Sequence, residues 1–464
     1  MLLVCVSLLA VWAQAPRPDT PAARQFFRWL EVFNRGDGKE LTAFLEANFV
    51  SEQNRPPRQI EFREMTGGFD FKKTEESEPT RLTGVVKERD GDNYARFTIE
   101  VEAEEPHRVK SLRMQVVPRP DEFPAVARMG EKEALTALRV EADMRAGKGR
   151  FSGAILVARN GQTLFSGAYG LADREKKVRN RVDTRFRIGS MNKMFTAVSV
   201  AQLAQAGKIK LDAPLGTYLK EYPNQDVASK VTIHHLLTHT GGTGDIFGPK
   251  FDENRLKLRE LKDYVALYGT RAPQFEPGAR FAYSNYGYLL LGVVIEAASG
   301  QSYYDYVREH VYKAAGMTRT DSLAENEEVA DRSVGYTKGD GTEWRPNTDT
   351  LPYRGTSAGG GYSTVEDLGR FAAALLSHKL LNAEYTTLVT TGKVSGGPAK
   401  YAYGFMDSEQ DGVRSFGHGG GAPGMNGDLR IFPESGYVVA VLANQDPPAA
   451  QRLAGFISAR LPAR

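Results

Sequence analysis

The chain is 464 residues long and carries 60 Lys and Arg against 57 Asp and Glu, a formal charge of +3. That length suits one large domain plus a smaller one, each with a proper hydrophobic core. So even a charge balance provides no clustered cationic surface, which argues against nucleic acid and strongly anionic membranes as partners.

The chain opens "MLLVCVSLLAVWAQAPRPD", an apolar run followed by small residues and prolines. Residues 1–15 read as a secretory signal cut after Ala13 or Ala15, which makes the expected location periplasmic or secreted. A retained membrane anchor is the alternative, because no Lys or Arg precedes the run. The run is short for a bilayer span, and no other apolar stretch is long enough, so no stable span is expected in the mature chain. Cys5, the one cysteine, lies inside this segment; its removal leaves no thiol, disulfide or cysteine metal ligand.

From about residue 20 to 45, Phe26, Trp29, Leu30 and Phe33, then Leu41, Phe44 and Leu45, recur at helical spacing on either side of a Gly36–Gly38 turn, which predicts two short helices. The period then falls to two. Ala95, Phe97, Ile99 and Val101 alternate with polar residues, as do Leu112, Met114 and Val116, with "KERDGDNY" as the turn before the first of these strands. Antiparallel strands packed on helices follow, an α+β domain over 20–123 ended by the prolines of "VPRPDEFP".

A larger domain is expected over 130–464. It begins with a helix near 131–146, and "RNG" (159–161) then joins two strand-like runs through an Asn-Gly turn. The other end has a second hairpin turning at "PESG" and a closing helix in "PAAQRLAGFISARL". Strands at both ends with Ala- and Leu-rich helices between them predict one antiparallel sheet built from both termini and flanked by helices.

Three stretches carry the chemistry. In "GSMNKMF", Ser190 and Lys193 stand three apart where a helix opens, so their side chains share a face. A buried ammonium loses its proton more easily and can serve as base to a serine, and negative charge forming at a helix start is favoured by the dipole. The competing reading, Ser190 as an N-cap and Lys193 as a solvated side chain, is weakened by the long apolar helix that follows. In "FAYSNYGYLL", Tyr283 and Asn285 can face one cleft, the phenol relaying protons and the amide holding a substrate carbonyl while accepting from Lys193; Asn285 as a helix N-cap is the alternative. In "SFGHGGGAPG", His418 precedes Gly419, Gly420 and Gly421. Consecutive glycines let a strand's backbone approach a ligand, as an oxyanion hole requires, and His418 is placed to orient a carboxylate or the tyrosine.

His235 and His239 lie four apart but lack the intervening Glu of a zinc-binding helix, so His239 is expected to fix a turn and no metal is expected. "SAGGGY" (357–362) lacks the lysine and spacing of a phosphate loop, and residues 359–361 are expected to let a loop pack beside the cleft.

Taken together, S-x-x-K, Y-x-N and the His-led triplet resemble the beta-lactamase-related serine hydrolases over about residues 130–464. That family includes class C beta-lactamases, D-alanyl-D-alanine carboxypeptidases, D-aminopeptidases and family VIII-like esterases. "HHLLTHTGG" (234–242) and "GTSAGGGYSTVEDLGRF" (355–371) also look like its framework. The resemblance implies Ser190 as acylated nucleophile, Lys193 as its base partner, Tyr283 as proton relay and Asn285 as a substrate-amide contact. It also implies an oxyanion hole from the N–H groups of Ser190 and Gly421, with no cofactor. Two departures bear on substrate. His418 stands where class C beta-lactamases usually have lysine, and Gly419 where a hydroxyl residue is common; both lower the expectation of efficient beta-lactam hydrolysis. The reading is an amidase or peptidase on small or D-amino-acid-containing peptides. A carboxylesterase, a weak beta-lactamase and a non-catalytic penicillin-binding or sensing module are its alternatives. The outline of the N-terminal domain resembles cone-shaped helix-plus-sheet domains fused to secreted hydrolases.

Overall fold

A computed structural model describes residues 17–50, 56–339, 341 and 343–464. The expected signal segment and Cys5 lie outside the described residues. The chain divides into two compact units, 1–125 and 126–464.

In the first unit, Thr20 caps α1 (Pro21–Arg35) by accepting from Ala23 N–H at 3.3 Å, and the helix stops at Gly36 in the left-handed region. Asp37 caps α2 (Gly38–Asn48), and α3 (Pro56–Thr66) follows. An antiparallel meander then runs β1 (Phe69–Ser77), β2 (Arg81–Glu88), β3 (Tyr94–Val101), β4 (Val109–Val117), paired in chain order. The periodic residues of α1 and β3 bury against each other, with Phe26 stacked on Phe97 at 3.7 Å. The alternation breaks down in β4. On this edge strand Val109 is buried while Val116 is 56 % exposed.

The second unit opens with α4 (Glu131–Gly147) and the hairpin β5 (Gly153–Arg159) and β6 (Gln162–Tyr169). Asn160 and Gly161, both at positive φ, make its two-residue turn. Next come α5 (Asn192–Gln205), α6 (Ile233–Leu237), α7 (Asn285–Ser299) and α8 (Val365–Leu376). The strands β7 (Val394–Ser395), β8 (Lys400–Tyr401), β9 (Met406–Gln410), β10 (Val413–Ala422), β11 (Met425–Ile431) and β12 (Tyr437–Ala443) follow, and α9 (Ala449–Ser458) closes the unit. Among the described residues, β7 to β12 pair in order and β12 then pairs antiparallel with β5, giving an eight-stranded sheet β7-β8-β9-β10-β11-β12-β5-β6. The two ends of the unit thus share one sheet.

Every residue of β12 is buried, since helices cover both faces of the sheet centre. Ala154, Leu156, Ala440 and Leu442 face the core containing α5, α7 and α8. Their neighbours Ile155, Val157, Val439 and Val441 pack on α4 and α9. No helix of the described residues is long and apolar enough to cross a membrane.

Candidate functional site

Ser190 lies in a 3-10 turn, Gly189–Met191, that runs directly into α5, and its side chain caps no helix N–H. The turn keeps the three-residue spacing useful. Lys193 Nζ stands 3.2 Å from Ser190 Oγ. Lys193 is fully buried, donating also to Asn285 Oδ1 at 2.8 Å and to the Ala358 carbonyl at 2.5 Å.

These contacts decide how a neutral amine would sit. It has two N–H groups and one lone pair. Asn285 Oδ1 and Ala358 O take the two N–H groups, and the lone pair is left for the Ser190 hydroxyl. Burial lowers the Lys193 pKa to about 7, with the charge of Asp245 pulling weakly the other way.

The loop that supplies the Ala358 carbonyl is fastened to α5 by consecutive bonds. Asn192 Nδ2 donates to Thr356 O at 2.9 Å, Thr196 Oγ1 to Ser357 O at 2.7 Å, and Lys193 to Ala358 O. Gly359 then passes the turn of Ser190 so closely that a Cβ on it would meet Gly189 at 3.0 Å. The expected packing of 359–361 against the cleft has this form.

Ser284 is the N-cap of α7, accepting from Gly287 N–H at 2.9 Å, so Asn285 occupies the first helical position instead of the cap. Tyr283 is 38 % exposed, and its ring lies 4.7 Å from Lys193 Nζ. Desolvation raises the phenol above its ordinary value of 10, the neighbouring Ser190 hydroxyl offsetting part of the rise. Asn285 Nδ2 donates to Asp245 Oδ1 and Oδ2 at 3.0 and 3.2 Å. The amide nitrogen expected to hold substrate is therefore engaged by a carboxylate in this structure.

His418 is buried on β10, with Nε2 3.1 Å from the Tyr401 hydroxyl and Nδ1 2.5 Å from the carbonyl of Gly419. The tyrosine it orients is thus Tyr401, while Tyr283 lies 6.5 Å away ring to ring. Burial, reinforced by the charge of Lys193, lowers His418 to about 4. At neutral pH the ring therefore carries no charge with which to attract a substrate carboxylate. Gly420 runs against the turn of Ser190, and a Cβ built on Gly189 would lie 3.1 Å from Gly421 N. The backbones of Ser190 and exposed Gly421 are therefore neighbours, as a two-donor oxyanion site requires.

The two weighed histidines part company. His235 Nδ1 accepts from Thr232 N–H in the capping box of α6. His239, at φ 58°, accepts from Ser284 N–H at 3.0 Å, and its ring lies tilted 4.3 Å from Tyr283 and edge-on 4.5 Å from Tyr401. Among the described residues, no group of three or more His, Cys, Asp or Glu side chains is arranged to hold a metal ion.

The beta-lactamase family model matches residues 138–463 of this chain. The chain belongs to the beta-lactamase family. Penicillin-binding protein 4 of Amycolatopsis lactamdurans is 30 % identical over 60 % of this chain and 76 % of its own. A crystal structure of a penicillin binding protein from Bacillus halodurans is 35 % identical, covers 68 % of this family member and 99 % of its own chain, and superposes with a TM-score of 0.63. A D-stereospecific amidohydrolase from a Streptomyces species is 28 % identical over 68 % of this chain and 97 % of its own, with a TM-score of 0.59. The fold of this beta-lactamase-family chain is one that carries serine-hydrolase and amidase-type chemistry.

Sequence reasoning missed Asp245, Asn192, Thr196, Tyr401 and the carbonyls of 356–358. Asp245 lies three residues beyond "HHLLTHTGG" (234–242), just outside the stretch that resembles the family framework, and its own neighbours form no motif.

Proposed function

We propose that this chain is a secreted or periplasmic serine hydrolase that forms an acyl-enzyme on Ser190, acting as an amidase or peptidase on small or D-amino-acid-containing peptides. The observation that carries the reading is the pairing of Ser190 with a buried Lys193 whose pKa is lowered to about 7. Lys193 is the base and Tyr283 is not, because the phenol is raised and stays protonated at neutral pH.

In the forward step the Ser190 proton passes to the Lys193 lone pair as Oγ attacks the substrate carbonyl carbon. The carbonyl oxygen becomes an oxyanion held by the N–H groups of Ser190 and Gly421. The proton travels through the Tyr283 hydroxyl to the departing amine, the bond to that amine breaks, and the acyl group remains on Ser190. Water then attacks the ester by the same route in reverse, releasing the acid and restoring the serine. No cofactor enters this scheme. The amidase choice draws support from the D-stereospecific amidohydrolase and penicillin-binding relatives.

A carboxylesterase is the second reading. His418, uncharged and with both ring nitrogens engaged, offers no permanent cation for a substrate carboxylate. The deciding experiment is intact-mass spectrometry of the protein and its Ser190→Ala form after exposure to an activated ester, a D-alanyl-D-alanine peptide, a D-amino-acid amide and a penicillin, with product assays alongside. Serine-dependent turnover of amide or peptide supports the proposal, and turnover of the ester alone moves it to esterase. Absence of any serine adduct or turnover across these and a fluorophosphonate probe would overturn the enzyme reading in favour of a binding module.

A further inference from the structure

We infer that Asp245 is a positioning residue for acylation: its carboxylate locks the Asn285 amide with Oδ1 toward Lys193 and so keeps the lysine lone pair open to Ser190. The inference rests on the reading of Ser190 as nucleophile and Lys193 as base.

Asp245 is held from several directions. Its Oδ1 accepts from Ile246 N–H at 2.8 Å, from Asn285 N–H at 3.2 Å and from Asn285 Nδ2 at 3.0 Å, while Oδ2 accepts from Nδ2 at 3.2 Å. The loop beneath it is fixed through its carbonyls. Arg271 donates to Asp245 O at 2.6 Å and to Thr243 O at 3.2 Å, and Ser284 Oγ donates to Gly244 O at 2.5 Å. The carboxylate is therefore a fixed acceptor against which an amide can be oriented.

An asparagine side chain has two nearly isosteric orientations, and its neighbours choose between them. In the observed one, a donor faces the carboxylate and an acceptor faces Lys193 Nζ. Turned over, the amide oxygen would face the carboxylate oxygens, and Nδ2 would point an N–H at Lys193. That N–H would occupy the lone pair and disable the base. Asp245 excludes this state because an acceptor facing an acceptor loses two hydrogen bonds and adds repulsion.

Asp245 has a second effect on Lys193. The groups facing the amine are the rings of Tyr283 at 4.7 Å and Tyr288 at 5.5 Å, with His239 and His418 beyond. Among the described residues, Asp245 is the acidic group whose charge raises the amine's affinity for a proton. Replacing the carboxylate by an amide therefore moves the Lys193 titration to lower pH, which simple loosening of the loop would not do.

The test uses the full chain with Asp245→Asn, Asp245→Glu, Asn285→Ala and the Asp245→Asn/Asn285→Ala double variant. Acylation by an activated ester is followed across pH, and Lys193 is titrated by NMR of labelled lysine. Asp245→Asn is expected to slow acylation by roughly tenfold to a hundredfold, the range for a misplaced catalytic group. It should also move the Lys193 midpoint to lower pH and speed solvent exchange of the Asn285 side-chain amide. Asp245→Glu keeps the charge and should hold the midpoint; it is the variant to read if Asp245→Asn fails to fold. In the Asn285→Ala background, Asp245→Asn should add almost nothing to the rate loss. An unmoved midpoint, unchanged amide exchange or multiplying rate losses would overturn the inference. The NMR readouts need no turnover, so a wild-type protein that forms no Ser190 adduct sinks the proposed function and still decides the arrangement around Asp245.

Discussion

Gly420 lies so close to Ile188 that a Cβ on the glycine would stand 1.9 Å from the Ile188 carbonyl oxygen. This contact seats β10 against the turn carrying Ser190 and brings Gly421 N beside Gly189. Gly420→Ala must push the strand away from the turn and separate the two N–H donors. The expected result is a loss of acylation of about a hundredfold, the size of removing one oxyanion donor. A destabilisation of about 1–3 kcal/mol, typical of overpacking, should accompany it. Stopped-flow acylation with a thermal melt reads both, and wild-type acylation by this variant would show that the spacing does not matter.

Lys193 predicts the pH profile. In the proposed mechanism its neutral form is the reactive one, so acylation should rise about tenfold per pH unit on the acid side and level off above about 7. The stability effect has the opposite origin. The unfolded amine titrates near its ordinary 10.5, so between about 7 and that value the unfolded chain holds a proton that the folded chain lacks. Stability therefore rises with pH through this window, and Lys193 contributes no slope below it. Lys193→Met should abolish acylation and flatten that part of the curve. Urea titrations of both proteins from neutral to alkaline pH make the comparison.

Much of this architecture was legible because its signals are local. Ser190 and Lys193 are one helical turn apart, Tyr283 and Asn285 flank a cap, and Asn160-Gly161 marks a hairpin. What escaped depends on distant approach. Backbone carbonyls at 356–358 carry no residue signature, although they accept from Asn192, Thr196 and Lys193. Asp245 acquires its role only when its loop folds onto α7. In the first unit, α3 buries Thr66 fully and the rest of its length only partly, and β1 continues from Phe69 and Phe71 into "KKTEES"; neither shows a clean period.

His418 predicts indifference to substrate charge. It titrates near 4, with Tyr401 on Nε2 and its own chain on Nδ1. His418→Ala should therefore slow neutral esters and free-carboxylate peptides alike, within about threefold of each other, through loss of the Tyr401 contact. Competition between the two substrates gives the ratio directly. A selective loss on the carboxylate substrate would favour the carboxylate-orienting role expected from sequence.

Ser284 separates structure from titration. Its hydroxyl accepts from Gly287 N–H at 2.9 Å to start α7 and donates to Gly244 O at 2.5 Å, while its N–H donates to His239. It therefore sets the position of both its neighbours, Tyr283 and Asn285. Ser284→Ala removes the cap and leaves the Gly244 carbonyl without this partner, at a cost of about 1–2 kcal/mol. A chain of this size should show that as a fall of a few degrees in melting temperature. Acylation should drop by roughly tenfold through Tyr283 and Asn285. The acid limb should stay where it is, since the variant keeps the charge of Asp245 and the burial that set the Lys193 pKa. Measuring the melt and the pH profile on the same variant distinguishes this from Asp245→Asn, whose limb moves. A shifted limb in Ser284→Ala would mean that the cap, and not the carboxylate alone, governs the charge on Lys193.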